Sequence, residues 1–396
     1  MPGFIYPNEG MIEWDLLIVI YPYITGLVAG AFVVSSLYHV FGLTRFKPVA
    51  RFSLITALAF LLVTPLPLVV HLGRPERAFE MFLTPNLTSA MSAFGYIWFF
   101  YLLLLATEVW LVFRPDIIRY AGATQGIRKT IYSALALGVY DLSEKSLAID
   151  GKLIKVLAFV GIPTAFLLHG YVGFIFGAVK ANPWWSTPLM PIIFLLSAIV
   201  SGIALLIVLY IIVSKVRKAS LDYSCLHFLA LWLGGFLSVN VVLEGLEVFT
   251  MLYEAEESWG IIYQLITREI PISYFGIQFV MGSVLPLVLL GVTALFPIAE
   301  KRRTVLGFLA SLLVLIGVFA MRWNVVIGGQ LISKSLRGFT SFLPPILGLN
   351  GILVAAGFLT LPFILLAVMT HFISPWPEEH KVPEPRGLRL RTGRVR

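Results

Sequence analysis

Cysteine is almost absent from this 396-residue chain, and charge is scarce: there is one cysteine, Cys225, and 13% of residues are charged. A single thiol excludes a disulfide framework within the chain. It equally excludes a cysteine-ligated iron–sulfur cluster built from this chain alone. No P-loop, no GxGxxG in a strand–helix setting, no HExxH and no short-period repeat occurs, so the common nucleotide-cradling and zinc-hydrolase patterns are missing. Acidic residues number 21 against 29 basic ones, for a net charge of +8. Those basic residues flank apolar runs and do not gather on one folded face, so nucleic acid is not the expected partner. What the chain has in quantity is apolar side chains: 59% hydrophobic residues and a mean hydropathy of +0.91. No water-soluble domain of this length has that composition.

The apolar residues fall into nine runs, near 14–38, 52–71, 92–113, 153–179, 188–213, 224–251, 272–297, 305–329 and 346–371. Each is long enough for about 20 residues of helix to cross roughly 30 Å of hydrocarbon. Helices satisfy their own backbone in lipid where an open sheet does not. The expected fold is therefore all-α, a polytopic transmembrane helix bundle in the cytoplasmic (inner) membrane. Its parts are an outer segment 1–13, a membrane domain 14–372 and a basic tail 373–396. The basic links carry Arg45, Lys47 and Arg51; Arg114, Arg119, Arg128, Lys129, Lys145 and Lys152; Lys215, Arg217 and Lys218; and Lys301, Arg302 and Arg303. With the Arg-rich tail they mark every odd-numbered link as cytoplasmic, which places the N-terminus outside and the C-terminus inside. The opposite side holds Glu9, Glu13, Glu254, Glu256 and Glu257, with Lys334 and Arg337 as its basic exceptions. Residues 1–13 lack the basic start of a cleavable signal, and the first run is expected to remain as a span. The third link is expected to hold an amphipathic piece, 131–146, at the inner interface.

Ionisable groups inside a membrane are functional candidates by default. The topology puts Trp14 and Asp15, His71 and Arg74, and His169 and Tyr171 near one level under the outer surface. Acid, imidazoles, phenol and arginine together suit a quinone head, whose two carbonyl oxygens need hydrogen-bond partners and proton donors. The competing reading is interface anchoring by aromatic and basic side chains. A second group comprises Asn240, Glu244 and Glu247, spaced i, i+4, i+7 on one helix face, with Arg322 and Asn324 at a matching depth. A carboxylate pair beside an arginine reads either as a proton-relay network or as a static ion pair fixing two helices. Two histidines at one depth also admit a b-type haem. The runs are equally open to a secondary transporter or a purely structural membrane anchor. No metal site is expected within the chain.

Four stretches resemble the NrfD/PsrC-like membrane subunits of bacterial and archaeal redox complexes. The first run reads Tyr21-Pro22-Tyr23-Ile24-Thr25-Gly26-Leu27-Val28-Ala29-Gly30, with Thr25 in place of the family's first glycine. Leu72-Gly73-Arg74-Pro75 follows His71, where many members have Asp, and Thr88 to Ser92 comes next. The fourth run carries Tyr171-Val172-Gly173, then Asn182-Pro183-Trp184-Trp185 and Phe194 to Ala198. Arg322 to Gln330 looks like the longer branch, which includes the DsrP and HybB-type subunits. The resemblance implies a haem-free subunit exchanging electrons between membrane menaquinone, or a related quinone, and a ferredoxin-like iron–sulfur subunit at the outer face. It carries the quinone pocket to Tyr171 and, more loosely, to Glu13, Trp14 and Asp15. It also implies a multi-subunit oxidoreductase of sulfur- or sulfite-linked anaerobic respiration. Further partners would be haem-containing membrane and cytochrome c subunits and a cytoplasmic catalytic subunit.

Overall fold

Asp15 opens the first helix: its side chain accepts the Leu17 N–H at 2.8 Å and caps α1 (Leu16–His39), as short acidic side chains do at helix starts. The structure is a computed structural model describing residues 12–86, 88–253 and 257–376. Among these residues nine helices are long and apolar enough to cross a membrane. After α1 come α2 (Lys47–Val63), α3 (Ala90–Ala123), α4 (Glu144–Gly177), α5 (Met190–Arg217) and α6 (Tyr223–Tyr253). The last three are α7 (Ile272–Leu295), α8 (Glu300–Trp323) and α9 (Ile352–Phe372). Glu9, Glu254, Glu256, most of the segment 1–13 and the tail beyond residue 376 lie outside the described residues.

Two boundaries differ most from the apolar runs. Helix α3 continues past residue 113 to Ala123, and α4 starts at Glu144 and not at 153. Apolarity marks the part of a helix that meets lipid, while the backbone ladder runs on as long as polar side chains support it. Here Arg114 supports both extensions. Its Nε donates to Asp150 at 2.8 Å, Nη1 to the Asp141 carbonyl at 2.8 Å and Nη2 to the Ser146 hydroxyl at 2.9 Å. The expected amphipathic piece 131–146 is also not one element. A helix spans Gly126–Leu135, and the chain then breaks at Leu137 and Gly138, both at positive φ, before Ser143 caps α4.

Helices α1 and α5 form the centre, with 89% and 83% of their apolar stretches buried, against 17% for α9 at the rim. Helix α1 packs on α2, α4 and α5; α3 packs on α4; α8 packs on α5 and α7; and α9 lies against α2. The result is two four-helix units, α1–α4 and α5–α8, meeting where α1 and α4 pack on α5, with the closest approach at the α1–α5 crossing. That crossing is made by glycines. A Cβ on Gly30 would stand 2.3 Å from the Ala198 carbonyl oxygen and 2.7 Å from Gly202 Cα. In lipid, helix association depends on such close backbone approach.

Helix α7 is π-helical over Ile272–Val284, and two other helices are irregular where tryptophans occupy the carbonyls involved. Pro65 ends α2 and has no N–H to offer the Leu61 carbonyl four residues back. The Trp98 indole donates to that oxygen at 3.1 Å instead, and the chain continues as a short helix, Leu66–His71. Helix α8 runs on through a π-helical turn, Asn324–Gly328, into Gly329–Leu331. There the indoles of Trp184 and Trp185 donate to the carbonyls of Asn324 (2.9 Å) and Val325 (2.6 Å).

Candidate functional site

The end of the bundle at which α1 begins gathers most of the polar side chains expected from the sequence, but in separate groups. Capping fixes one oxygen of Asp15. The other lies 3.3 Å from His71 Nδ1, because the short helix after Pro65 carries His71 back to the start of α1. Asp15 is 5% exposed, whereas the His71 side chain is 22% exposed. His71 Nε2 has no hydrogen bond among the described residues. The pair therefore has a closed side at the carboxylate and an open side at the imidazole. Arg74, three residues on, is exposed and makes no side-chain hydrogen bond or ion pair among the described residues.

Trp14 is held apart from this pair. Its backbone N–H donates to Gln330 Oε1 and its carbonyl accepts from Gln330 Nε2, both at 2.8 Å. Its ring stacks on Trp185 at 5.1 Å. Gly329 makes room for Trp185, since a Cβ there would lie 2.1 Å from the indole nitrogen. A half-open pocket of about 270 Å³ borders this clamp, lined by Glu13, Trp14, Asn182, Trp185, Gln330 and Lys334 among others.

His169 and Tyr171 do not share a pocket with Asp15 or with each other. Residues two apart on an α-helix point about 200° apart, so one turn of α4 cannot aim both inward. His169 is fully buried against α1, α5 and α8. Its Nε2 lies 3.0 Å from Arg322 Nη2, and its ring stacks on Phe194 at 5.9 Å. Tyr171 lies on the outer side of α4, tilted against Phe174 at 5.4 Å. The expected single pocket of Asp15, His71, Arg74, His169 and Tyr171 is thus replaced by an Asp15–His71 pair and a separate His169–Arg322 pair.

The second expected group also rearranges. Arg322 makes no ion pair with Glu244 or Glu247. Its Nη2 donates to the Ser197 hydroxyl at 2.6 Å as well as meeting His169, and its guanidinium carbon lies 3.9 Å from the Phe194 ring centre. An aromatic face and neutral acceptors take the place of a carboxylate. Glu244 is instead bound by two amides, Asn240 Nδ2 at 2.7 Å and Gln278 Nε2 at 3.0 Å. Gln278 Oε1 accepts from Asn324 Nδ2 at 2.8 Å, and Asn324 Oδ1 accepts from the Ser273 hydroxyl at 2.6 Å. This chain of bonds links α6, α7 and α8. A small cavity of about 40 Å³, large enough for water, lies beside it, lined by Glu244, Glu247, Tyr274, Gln278 and Asn324 among others. Glu247 Oε1 has no hydrogen-bond partner among the described residues.

Sequence reading missed Gln330, Gln278 and Ser197. Uncharged side chains inside apolar runs give no signal of their own there, although Gln330 ends a stretch that carried the family resemblance. It also missed Glu108, a carboxylate in the third run that the rule for intramembrane charges does single out.

Known proteins supply the last observation. A family model described as polysulphide reductase, NrfD, matches residues 7–334, which takes in α1–α8 but not α9. The chain is 32% identical over 322 residues to a selenate reductase subunit of Mesobacillus selenatarsenatis, across 80% of this chain and 73% of that protein. Over 317 residues it is 28% identical to a putative dimethyl sulfoxide reductase membrane subunit of Halobacterium salinarum, across 78% and 67%. It is 24% identical over 239 residues to an Hdr-like menaquinol oxidoreductase integral membrane subunit of Archaeoglobus fulgidus, across 60% and 52%. With nine helices able to cross a membrane among its described residues and a family match over most of its length, this chain is a multi-pass integral membrane protein of the polysulphide reductase NrfD family.

Proposed function

We propose that this chain is the quinone-interacting membrane subunit of a multi-subunit respiratory oxidoreductase, and that the Asp15–His71 pair meets the quinone head. One observation carries the reading. Asp15 occupies His71 Nδ1 while Nε2 is left open at a partly exposed rim, and a carboxylate behind an imidazole fixes its tautomer and supports proton exchange at the far nitrogen. A quinone bound there supplies two-electron, two-proton redox chemistry. The protein's part is to donate or accept a hydrogen at Nε2 and to keep the ring oriented. Arg74 stands beside this opening, while Trp14, clamped by Gln330, shapes the neighbouring pocket. His169 and Arg322 support the helix ends from below, together with Asn240, Glu244, Glu247 and Asn324, without touching the ring.

Electrons would pass between the quinone and a ferredoxin-like iron–sulfur subunit docked at the end where α1 begins, the outer side of the inner membrane. The names of the relatives support the class: a menaquinol oxidoreductase integral membrane subunit, a selenate reductase subunit and a dimethyl sulfoxide reductase membrane subunit. Sulfur-linked anaerobic respiration is the finer reading, supported by the sulfoxide in one of those names and by the resemblance to the DsrP branch.

Asp15→Asn separates chemistry from folding, because Asn caps helices as well as Asp does but presents no second carboxylate oxygen to His71. In the assembled complex, Asp15→Asn and His71→Gln should each lower quinol turnover about 100-fold or more, the usual range for a general acid–base group, with unchanged assembly. Turnover at the wild-type rate in both variants would remove the pair from the site. A structural anchor would tolerate both changes.

A further inference from the structure

At the end of the bundle away from the start of α1, a cavity of about 190 Å³ lies between α5, α6 and α8. Two helices present matching faces to it. Tyr223, His227 and Ala230 of α6 are spaced i, i+4, i+7, and Glu300, Arg303 and Gly307 of α8 are spaced i, i+3, i+7, which puts each set on one side of its helix. The two faces close together below, where a Cβ on Gly307 would meet that of Ala230 at 3.9 Å. Buried Ile207 and Ile211 of α5 make an apolar back wall. The space is well beyond what a single water needs.

The polar groups in this cavity are unsatisfied. Arg303 Nε and His227 Nδ1 are both buried, and neither has a hydrogen-bond partner among the described residues. Buried polar atoms are nearly always bonded, and an arginine near a membrane boundary ordinarily carries its head out to water. Arg303 also makes no ion pair among the described residues, although Glu300 lines the same cavity one turn earlier on α8. Glu300 is exposed and Arg303 is half-buried, about 4.5 Å further along the helix axis. A cation thus sits deep and a carboxylate at the rim, each left free by the other.

That order suits one class of ligand. A phosphate accepts from a guanidinium and from an imidazole N–H, and an ammonium donates to a carboxylate. In an aminophospholipid the phosphate lies nearer the acyl chains and the amine nearer water, one ethanolamine spacer apart. We propose that the cavity binds the phosphoethanolamine head of a membrane lipid, with the phosphate on Arg303 and His227 and the amine on Glu300. Separated charges of both signs match a zwitterion, whereas an anionic head without an amine would face Glu300 with like charge. The bound head would tie α6 to α8 at the end opposite the Asp15–His71 rim, so this inference is independent of the quinone reading.

The test uses the complex purified with its partner subunits and stripped of lipid in detergent. Phosphatidylethanolamine, phosphatidylglycerol and soluble phosphoethanolamine are titrated in and read by native mass spectrometry, and a photoactivatable phosphatidylethanolamine maps the site by its labelled peptides. Phosphatidylethanolamine should bind at least tenfold more tightly than phosphatidylglycerol and label the starts of α6 and α8. Arg303→Gln should weaken it about tenfold or more, the loss of one charge-assisted bond, and Glu300→Gln should abolish the preference over phosphatidylglycerol. Should a variant fail to assemble, labelling and lipid preference of the wild type still decide the matter. Label confined to other helices, phosphatidylglycerol bound as tightly, or unchanged binding in Arg303→Gln overturns the proposal. Displacement of the lipid by an equal concentration of phosphoethanolamine would make the ligand a free phosphate ester and overturn the lipid assignment.

Discussion

Removing Arg322 and His169 one at a time and then together measures how the centre of the bundle tolerates a buried guanidinium without a carboxylate. Arg322 is completely buried and is held by His169, by Ser197 and by the face of Phe194. Hydrogen bonds to a charged group contribute about 1.5–3 kcal/mol each, and a desolvated cation over an aromatic ring about 2 kcal/mol. His169→Leu leaves the charge short of its main acceptor, which should destabilise the fold by roughly 3–5 kcal/mol. Arg322→Met on its own removes the charge but strands the imidazole, while the Ser197 hydroxyl keeps its bond to the Phe194 carbonyl. The double variant removes the charge together with its imidazole acceptor, and apolar replacements of buried charged groups are often close to neutral. It should therefore be more stable than the sum of the singles by about 2 kcal/mol or more. The lone cysteine provides the assay. Cys225 is fully buried, so a thiol-reactive fluorophore reports unfolding of detergent-purified protein with no engineered site. Additivity within about 0.5 kcal/mol would refute the assignment of Arg322 to His169 as its partner.

Three further outcomes follow from the geometry. Gln330→Ala breaks both bonds to the Trp14 backbone and should lower stability by roughly 2 kcal/mol at about 1 kcal/mol per bond; an unchanged unfolding midpoint in the same thiol assay would contradict the clamp. Gly202→Leu drives a side chain into Gly30 and should prevent recovery of monodisperse protein, whereas normal elution on size exclusion would show that the two units meet elsewhere. Asp141 lies in the link before α4, where the Ser143 N–H and hydroxyl hold its carboxyl below the usual value of 3.8. Its folded value is depressed, so its contribution is present above that usual value and fades as acid is added through the folded one. Asp141→Ala should flatten the acid limb of a melting-temperature series, and superposed limbs would remove the effect.

The fold was legible because lipid imposes one strong rule: a backbone that cannot bond to water must be helical or close into a barrel, and continuous apolar runs of about 20 residues select the helix and count it. Helix ends were less legible, since Arg114 carries α3 and α4 beyond the apolar boundary through contacts with Asp141, Ser146 and Asp150. At the site, depth along each helix could be read but azimuth could not. His169 and Tyr171 share a level and face opposite ways, and Glu244 and Arg322 share a level yet take different partners. The pairing of Asp15 with His71 also depended on Pro65, whose break in α2 turns the chain toward α1, and a run of apolar residues does not show that bend.

The glycine contact between α1 and α5 has a mechanical consequence. A seam where two backbones touch directly has no rotamers to rearrange and no slack to absorb a shift. A tilt imposed on one four-helix unit therefore bears directly on the unit carrying Arg322 and Glu244, through this seam and the α4–α5 contact beside it. Sliding of one half past the other is what such a seam resists most, because backbone meets backbone there.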